Sequence, residues 1–474
     1  MNTDCTGQSW FFQPLNGDKK NRQREVRAAF DGGDITSDAG ALLLREADHR
    51  FGIIRRFAAC FRDLRNPELI EHTVTELLSQ RIYGLALGYE DLNDHDDLRY
   101  DPLLATLCDK ADPVGKNRLQ KRDKGKPLAG KSTLNRFELP RTNETGRYRK
   151  IIADTQAIDR TFVDIFLSAH QKAPKRIVLD LDATDDPLHG KQEGKFFHGY
   201  YKCHCYLPLY IFCGDFLLCS RLRTADRDGA DGSLEEVERI VRQIRERWPK
   251  VEIALRGDSG FCREALMSWC EENRVHYVFG LARNTRLEDM INKQMKKAAR
   301  RYKETGEAAR VYRDFRYRTR KSWGRKRRVI GKAEYLKKGR NPRFVVTSYT
   351  KNIYDGKTLY EKEYCARGDM ENRIKEQQLW LFADRTSTHE LVSNQLRLYL
   401  SSMGYCLMET LRRVGLRGTR LARAQCNTIR TRLLKIGAWV GVSVRRVVVS
   451  FCSSYPYKDV FAAVYENLAR AAPV

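Results

Sequence analysis

The stretch Arg176-Ile177-Val178-Leu179-Asp180-Leu181-Asp182-Ala183-Thr184 sets carboxylates where a folded chain normally places hydrophobes. Read as a strand of period two, Ile177, Leu179 and Leu181 share one face, and Val178, Asp180 and Asp182 share the other. Two acids beside the core of a sheet are costly unless they are paired with cations or hold a metal ion. The strand therefore calls for Arg or Lys partners or for a cation. The bland alternative is that one acid caps the turn Ala183-Thr184-Asp185-Asp186-Pro187.

At 474 residues, 42% of them hydrophobic, the chain has the size and composition of two or three globular domains. Its formal charge of +26 points to a polyanionic partner, nucleic acid before membrane. No uninterrupted apolar run approaches the ~20 residues needed to span a bilayer, and Met1-Asn2-Thr3-Asp4 opens no signal peptide. A cytoplasmic, nucleoid-associated protein with no membrane partner is expected. The 13 cysteines suit reduced thiols. Cys203-His204-Cys205 lies in a strand-like aromatic run without a CxxC pair and reads as packing rather than as a zinc site.

Along the chain, a helix is expected from Ser37-Asp38 to about Cys60, and a second after Pro67, where Leu69, Val74, Leu77, Leu78, Ile82 and Leu85 form an apolar stripe. Between Asp112 and Lys131 lie seven Lys/Arg against two acids, a basic loop suited to phosphates or to plain solvation. Residues 1–145 thus read as a helical domain expected to bind DNA. A helical stretch from about Tyr148 to Ala169 leads into the acidic strand. The runs 200–212 and 216–223, separated by Gly214-Asp215, form a hairpin signal, and Ser233 to Trp248 is an amphipathic helix. Val251 to Leu255 is a strand that runs into Arg256-Gly257-Asp258-Ser259-Gly260-Phe261, which seats Asp258 on a turn beyond a strand's carboxyl end, a common seat for catalytic groups. A helix near 263–272 and a strand from His276 to Leu281 complete a β-β-β-α-β-α-β order. The fold class is α/β, a ribonuclease-H-like mixed sheet with flanking helices, assigned to residues 146–285 and 344–410.

Residues 286–343 interrupt that pattern with 22 Lys/Arg against 6 Asp/Glu, a net of +16. Aromatic and basic residues alternate there, and Trp323, Arg325, Lys326, Arg327 and Arg328 stand out as DNA contacts on a β-rich insertion. A helix from about Leu359 to Leu381 follows. At about 100° per residue, Tyr364, Arg367, Glu371, Lys375 and Gln378 fall within one arc, while Asp369 and Glu376 point away. Glu371 is therefore the acid turned toward a partner surface, although a ladder of Arg367, Glu371 and Lys375 at i,i+4 would use the same spacing. Thr388 to Leu411 is a long closing helix. The basic C-terminal region, 411–474, has ten Lys/Arg and no acid between Arg412 and Arg446.

Asp182 or Asp180, with Asp258 and Glu371, would supply three carboxylates from two strand ends and a helix. Such sets hold two divalent cations about 3.5–4 Å apart for in-line phosphoryl transfer, and oxygen-only ligands favour Mg²⁺ or Mn²⁺. A carboxylate pair also suits glycoside hydrolysis, but a sugar does not require this charge.

Asp182 in D-x-T, Asp258 in R-G-D-S-G-F, and Tyr364-x2-Arg367-x3-Glu371 together resemble the DDE transposases of bacterial insertion sequences. The subgroup is the one with a Y-x2-R-x3-E-x6-K helix signature and a β-rich insertion between the second and third acids. The resemblance covers about residues 30–410, including Gly88-Tyr89-Glu90-Asp91-Leu92-Asn93-Asp94-His95 and Arg385-Thr386-Ser387. It implies a ribonuclease-H-like core, Asp182, Asp258 and Glu371 as catalytic metal ligands for Mg²⁺, and Tyr364, Arg367 and Lys375 on phosphate. It further implies cleavage and strand transfer on double-stranded DNA, at terminal inverted repeats and target, by a homodimer. The last signature position is Gln378 rather than Lys, so Lys375 stands in for that contact. Asp182 is preferred to Asp180 because it fits D-x-T and sits nearer the strand end. In relatives that form hairpin intermediates an inserted Trp stacks on a flipped base, a role open to Trp323. The alternatives are a structure-selective metal-dependent nuclease and an inactive, DNA-binding descendant.

Overall fold

The computed structural model describes residues 9–15, 24–139 and 150–472. The expected helix start at Tyr148 and the domain boundary after residue 145 lie outside the described residues. The chain divides into two compact units, one from Met1–His49, Glu68–Leu134 and Leu411–Ala471, the other chiefly from Arg50–Pro67 and Asn135–Thr410.

The larger unit is built on a nine-stranded mixed sheet. The acidic strand β1 (Arg176–Ala183) is followed by β2 (Leu209–Cys213), β3 (Phe216–Arg221), β4 (Glu252–Gly257) and β5 (His276–Leu281). They lie in the order β3-β2-β1-β4-β5, with β2 antiparallel to both neighbours and β1, β4 and β5 mutually parallel. This is the ribonuclease-H-like arrangement. Gly214 turns the β2–β3 hairpin at φ +58°, a conformation glycine adopts without steric cost.

The two faces of β1 meet different surroundings, as its alternation requires. Ile177, Leu179 and Leu181 join the main core with Val163 and Phe166 of α1 (Thr155–Ser168), Val237, Ile240, Val241 and Ile244 of α2 (Ser233–Arg247), and Leu266 and Met267 of α3 (Glu264–Glu272). Burying each such aliphatic side chain contributes roughly 1.5–3 kcal/mol. On the opposite face Val178 packs with Ala254, Val278, Tyr349, Leu359 and Tyr360, so a helical segment at 356–380 covers that side. That segment is not one regular helix. It passes through a π turn at Leu359–Tyr364 and a tight turn at Cys365–Arg367 before the regular α5 (Gly368–Lys375), and ends in a second π turn at Glu376–Trp380.

The basic insertion corrects two expectations. It contains a 14-residue helix, α4 (Asn292–Thr305), and its strands, Ala309–Tyr317 and Arg327–Leu336, join Arg343–Thr347 in extending the main sheet beyond β5. The pattern of alternating aromatic and basic residues arises because one face of these strands is core, with Tyr317, Val329 and Ala333 buried there.

Three of the residues expected to contact DNA are interior. Trp323 is 6% exposed, edge-on to Tyr317 and close to the Arg327 guanidinium, so its ring has no free face for a base. Arg327 bonds Glu264 at 2.6 Å and Glu271 at 2.9 Å, and Arg328 bonds Asp314 at 2.8 Å. Arg325 is exposed while paired with Glu271, and Lys326 is exposed.

In the smaller unit the helix expected after Pro67 starts later, at Val74, because Thr73 and Glu76 form a capping box; Leu69 stays outside it and is 72% exposed. The helix expected from Ser37 to Cys60 breaks at Gly52, whose φ is +62°. Leu411–Ala471, read from sequence as a separate region, packs into this unit. The Arg430 guanidinium donates to the Ala86 and Leu85 carbonyls in the last turn of the Val74–Leu87 helix. Strand Ile35–Thr36 pairs with Ala438–Val442. Among the described residues no helix is long and apolar enough to cross a membrane.

Arg327 tests the corrected reading. Arg327→Ala strands Glu264 and Glu271 without their buried cation and is expected to lower unfolding free energy by about 3 kcal/mol in urea titration. Lys326→Ala is expected to stay within about 0.5 kcal/mol of wild type.

Candidate active site

The register of two parallel strands brings the first two acids together. Arg256 lies opposite Asp180 and Gly257 opposite Leu181, so one further step along β4 brings Asp258 level with Asp182 at the carboxyl ends. Asp258 opens the turn Ser259–Phe261, and its Oδ1 accepts the Gly260 N–H at 2.8 Å. Gly280 on β5 lies against that turn. A Cβ there would sit 2.7 Å from the Tyr364 hydroxyl, 2.9 Å from Ser259 N and 3.1 Å from the Asp258 carbonyl carbon, so glycine lets the turn and the phenol close on the strand.

The third acid comes from α5. Asp182, Asp258 and Glu371 all line one cavity of about 510 Å³, together with Arg367, Lys375 and Gln378. Four of the five residues placed on one helical arc therefore face the same space. Tyr364 is the exception: it lies in the π turn two short segments ahead of α5, and its hydroxyl points at Gly280. Gln378 donates to the Asp185 carbonyl at 2.9 Å, which leaves exposed Lys375 as the flexible cation at that end of the cavity.

Arg367 sits between the acids, donating to Asp182 Oδ2 at 3.3 Å and to Glu371 Oε1 at 2.9 Å. Even so, the Asp182 carboxyl is pushed up to about 7, first by burial and then by the nearby Asp258 and Glu371 charges, with Arg367 pulling the other way. Among the described residues no three His, Cys, Asp or Glu side chains form a ready-made ion cage. The donor chemistry nevertheless fits a hard divalent cation: oxygen ligands only, like charges lining one cavity, and one guanidinium as the protein's own counter-cation.

Asp180 has a different job. Both its oxygens bind Arg256, at 2.5 and 2.7 Å, and Arg256 also donates to the Glu363 carbonyl at 2.6 Å. Arg176 adds an ion pair to the Glu363 carboxylate at 2.7 Å. Burial pushes the Asp180 carboxyl upward while Arg256 opposes it. This clamp fastens the irregular turns before α5 to β1 and β4, and so sets where Glu371 stands.

Sequence reading missed Arg256 and Glu363, whose roles depend on strand register, and an aromatic wall of His198, Tyr200 and Tyr201. Tyr201 donates to the Ala183 carbonyl at 3.2 Å. The run Phe196-Phe197-His198-Gly199-Tyr200-Tyr201 was its available signal.

The two aspartates give opposite predictions. Asp182 has its folded value raised above the unfolded one, so it costs nothing below about pH 4, and its destabilising effect grows until pH passes about 7. Asp182→Asn is expected to unfold at higher denaturant than wild type at pH 8, with the gain vanishing near pH 4. Asp180→Ala strands the Arg256 charge and is expected to cost about 3 kcal/mol at pH 8. Equilibrium denaturation of both variants across this pH range checks the assignment.

Among known proteins, the chain is similar in structure to a piggyBac transposase synaptic complex with hairpin DNA, solved by cryo-EM. The TM-score is 0.42 at 11% identity, over 93% of this chain and 83% of that one. No curated protein matches it. Residues 18–473 match the family described as transposase DDE domain group 1. That span includes all three acid-bearing segments and nearly the whole of both units, and the chain belongs to this family of DDE transposases.

Proposed function

We propose that this transposase cuts DNA at the terminal inverted repeats of an insertion sequence and joins the freed ends to a target duplex, using Asp182, Asp258 and Glu371 as the metal-binding carboxylates. The observation that carries the reading is that these acids, from β1, the turn after β4 and α5, line one cavity with cationic side chains at its edge.

Asp182, Asp258 and Glu371 would hold Mg²⁺ or Mn²⁺. Ions bound there supply activation of a water or 3′-hydroxyl and neutralise charge on the leaving oxygen. Arg367 holds Asp182 and Glu371 in place and is near enough to share a phosphate oxygen with them. Lys375 meets a neighbouring phosphate, taking over from position 378, where glutamine is committed to a backbone carbonyl. Tyr364 acts as a positioning residue, wedging the Asp258 turn through Gly280. Arg325 and Lys326 add backbone contacts outside the cavity. The enzyme works as a homodimer, one copy at each end of the element, in the nucleoid.

The test uses purified protein, Mg²⁺, a plasmid carrying the element with its terminal repeats, and a second plasmid as target. Wild type is expected to release ends and to give joined products. Asp182→Ala, Asp258→Ala and Glu371→Ala should each lose several kcal/mol of transition-state stabilisation, at least about 100-fold in rate. Cleavage persisting in Asp258→Ala would remove the assignment, and cleavage without joined products would reduce the function to that of a nuclease.

A further inference from the structure

A hairpin in the smaller unit, anchored at its base by the pairing of Ala438 and Trp439 with Thr36 and Ile35, projects a tip that neither the fold nor the cavity uses. Strands Ala438–Val442 and Val447–Phe451 pair in antiparallel register, from Ala438 opposite Phe451 to Val442 opposite Val447. The turn joining them is closed by the Ser443 N–H on the Arg446 carbonyl at 2.8 Å and by the Arg446 N–H on the Ser443 hydroxyl at 3.2 Å. At the tip of this closed turn Val444 is fully exposed, at 103% of its reference area, and the next two residues are the exposed arginines Arg445 and Arg446. Val447 and Val448 are also exposed, at 37% and 48%.

The arm is stiffened from within. A Cβ at Gly441 would lie 2.3 Å from the Trp439 ring, so the outer edge of the indole closes on that glycine. Three neighbouring pairs, from Val440–Val449 to Val442–Val447, are wholly aliphatic apart from Gly441. Val444, Val447 and Val448 together leave aliphatic surface in solvent beside the two arginines at the tip.

The charge around the tip says what covers it. No Asp or Glu occurs between Thr410 and Lys458, and the arginines adjoin the valine directly. A second copy of so basic a surface would be repelled, whereas a duplex offers phosphates for the arginines and a base step for the valine. Proteins that bind the minor groove combine these parts: cations at the groove walls and an aliphatic wedge that partly unstacks one step and bends the helix by roughly 20–90°.

We infer that the Val442–Val447 arm enters the minor groove of duplex DNA, with Val444 wedged at a base step and Arg445 and Arg446 on the flanking phosphates or groove edges. This rests on the reading of DNA as substrate but not on the chemistry of the carboxylates. The arm is therefore a bending and anchoring element for DNA held by the smaller unit.

The experiment uses the full chain and a 40-base-pair duplex of arbitrary sequence labelled at both ends for energy transfer, titrated at several salt concentrations. Val444→Ser, at a fully exposed position, leaves the fold unchanged. It is expected to reduce the bend and to weaken binding about tenfold with little change in salt slope. Arg445→Ala with Arg446→Ala is expected to lower the slope of log K against log salt by about 2. Unchanged bend and slope in these variants, with wild type still binding and cutting, would overturn the arm's role alone. Variants that keep DNA binding but convert a dimer to monomers in light scattering would overturn it in favour of docking between copies. Failure of wild type to bind any duplex would take the proposed function with it.

Discussion

Asp180 and Arg256 form a two-point ion pair at adjacent positions of parallel strands, and the geometry of the candidate site depends on it. With Asp180 satisfied, Arg256 still has a donor for the Glu363 carbonyl, in a π turn whose own hydrogen bonding is irregular. One guanidinium thereby joins β1, β4 and the segment that leads into α5. Pairs of this kind return little net stability, since desolvation offsets most of the attraction. Their use here is in registration: a shift of β4 by one residue would unpair Arg256 and move Asp258 out of line with Asp182 in the same step.

The cavity beside this clamp is the converse case, because its charges are left incompletely compensated. Arg367 serves two acids at once, and burial with two neighbouring carboxylates still pushes the Asp182 carboxyl up to about 7 against that single cation. A fold selected for stability alone would have neutralised or removed one of these acids. Keeping all three facing one space makes the site receptive to positive charge, and ligands that bind only the folded state return the stability it forgoes. A cation bound there would displace the Asp182 proton.

Much of this was legible in the sequence where the signal is geometric and local. Alternation in Arg176–Thr184 separated a core face from an acidic face, because a strand has period two whatever surrounds it. The arc through Arg367, Glu371 and Lys375 was legible for the same reason, since regular α5 carries the last two and Arg367 directly precedes it, while Gln378 reaches the same cavity from the second π turn. Tyr364 left that arc because a π turn intervenes, and no residue type in Leu359–Tyr364 announces one. Choosing between Asp180 and Asp182 needed the partner on β4, which only long-range pairing supplies. Trp323 was misread because alternating aromatic and basic residues describe both a DNA-facing ribbon and a strand with one face in a core, and what decided between them was Glu264 and Glu271 on a distant helix.

The chain's charge divides along similar lines. A net of +26 identifies the class of partner, because attraction to a polyanion depends on the sum. It does not identify the residues, because much of the arginine is used internally. Arg256, Arg327 and Arg328 face carboxylates and Arg430 faces helix-end carbonyls, sites where a planar fork makes two bonds at once. Lys326 and Lys375 remain in solvent, as expected of a strongly hydrated ammonium. The protein's external field is therefore set by the exposed remainder, and in this molecule position relative to an acid, more than local density of basic residues, marks which arginines are structural.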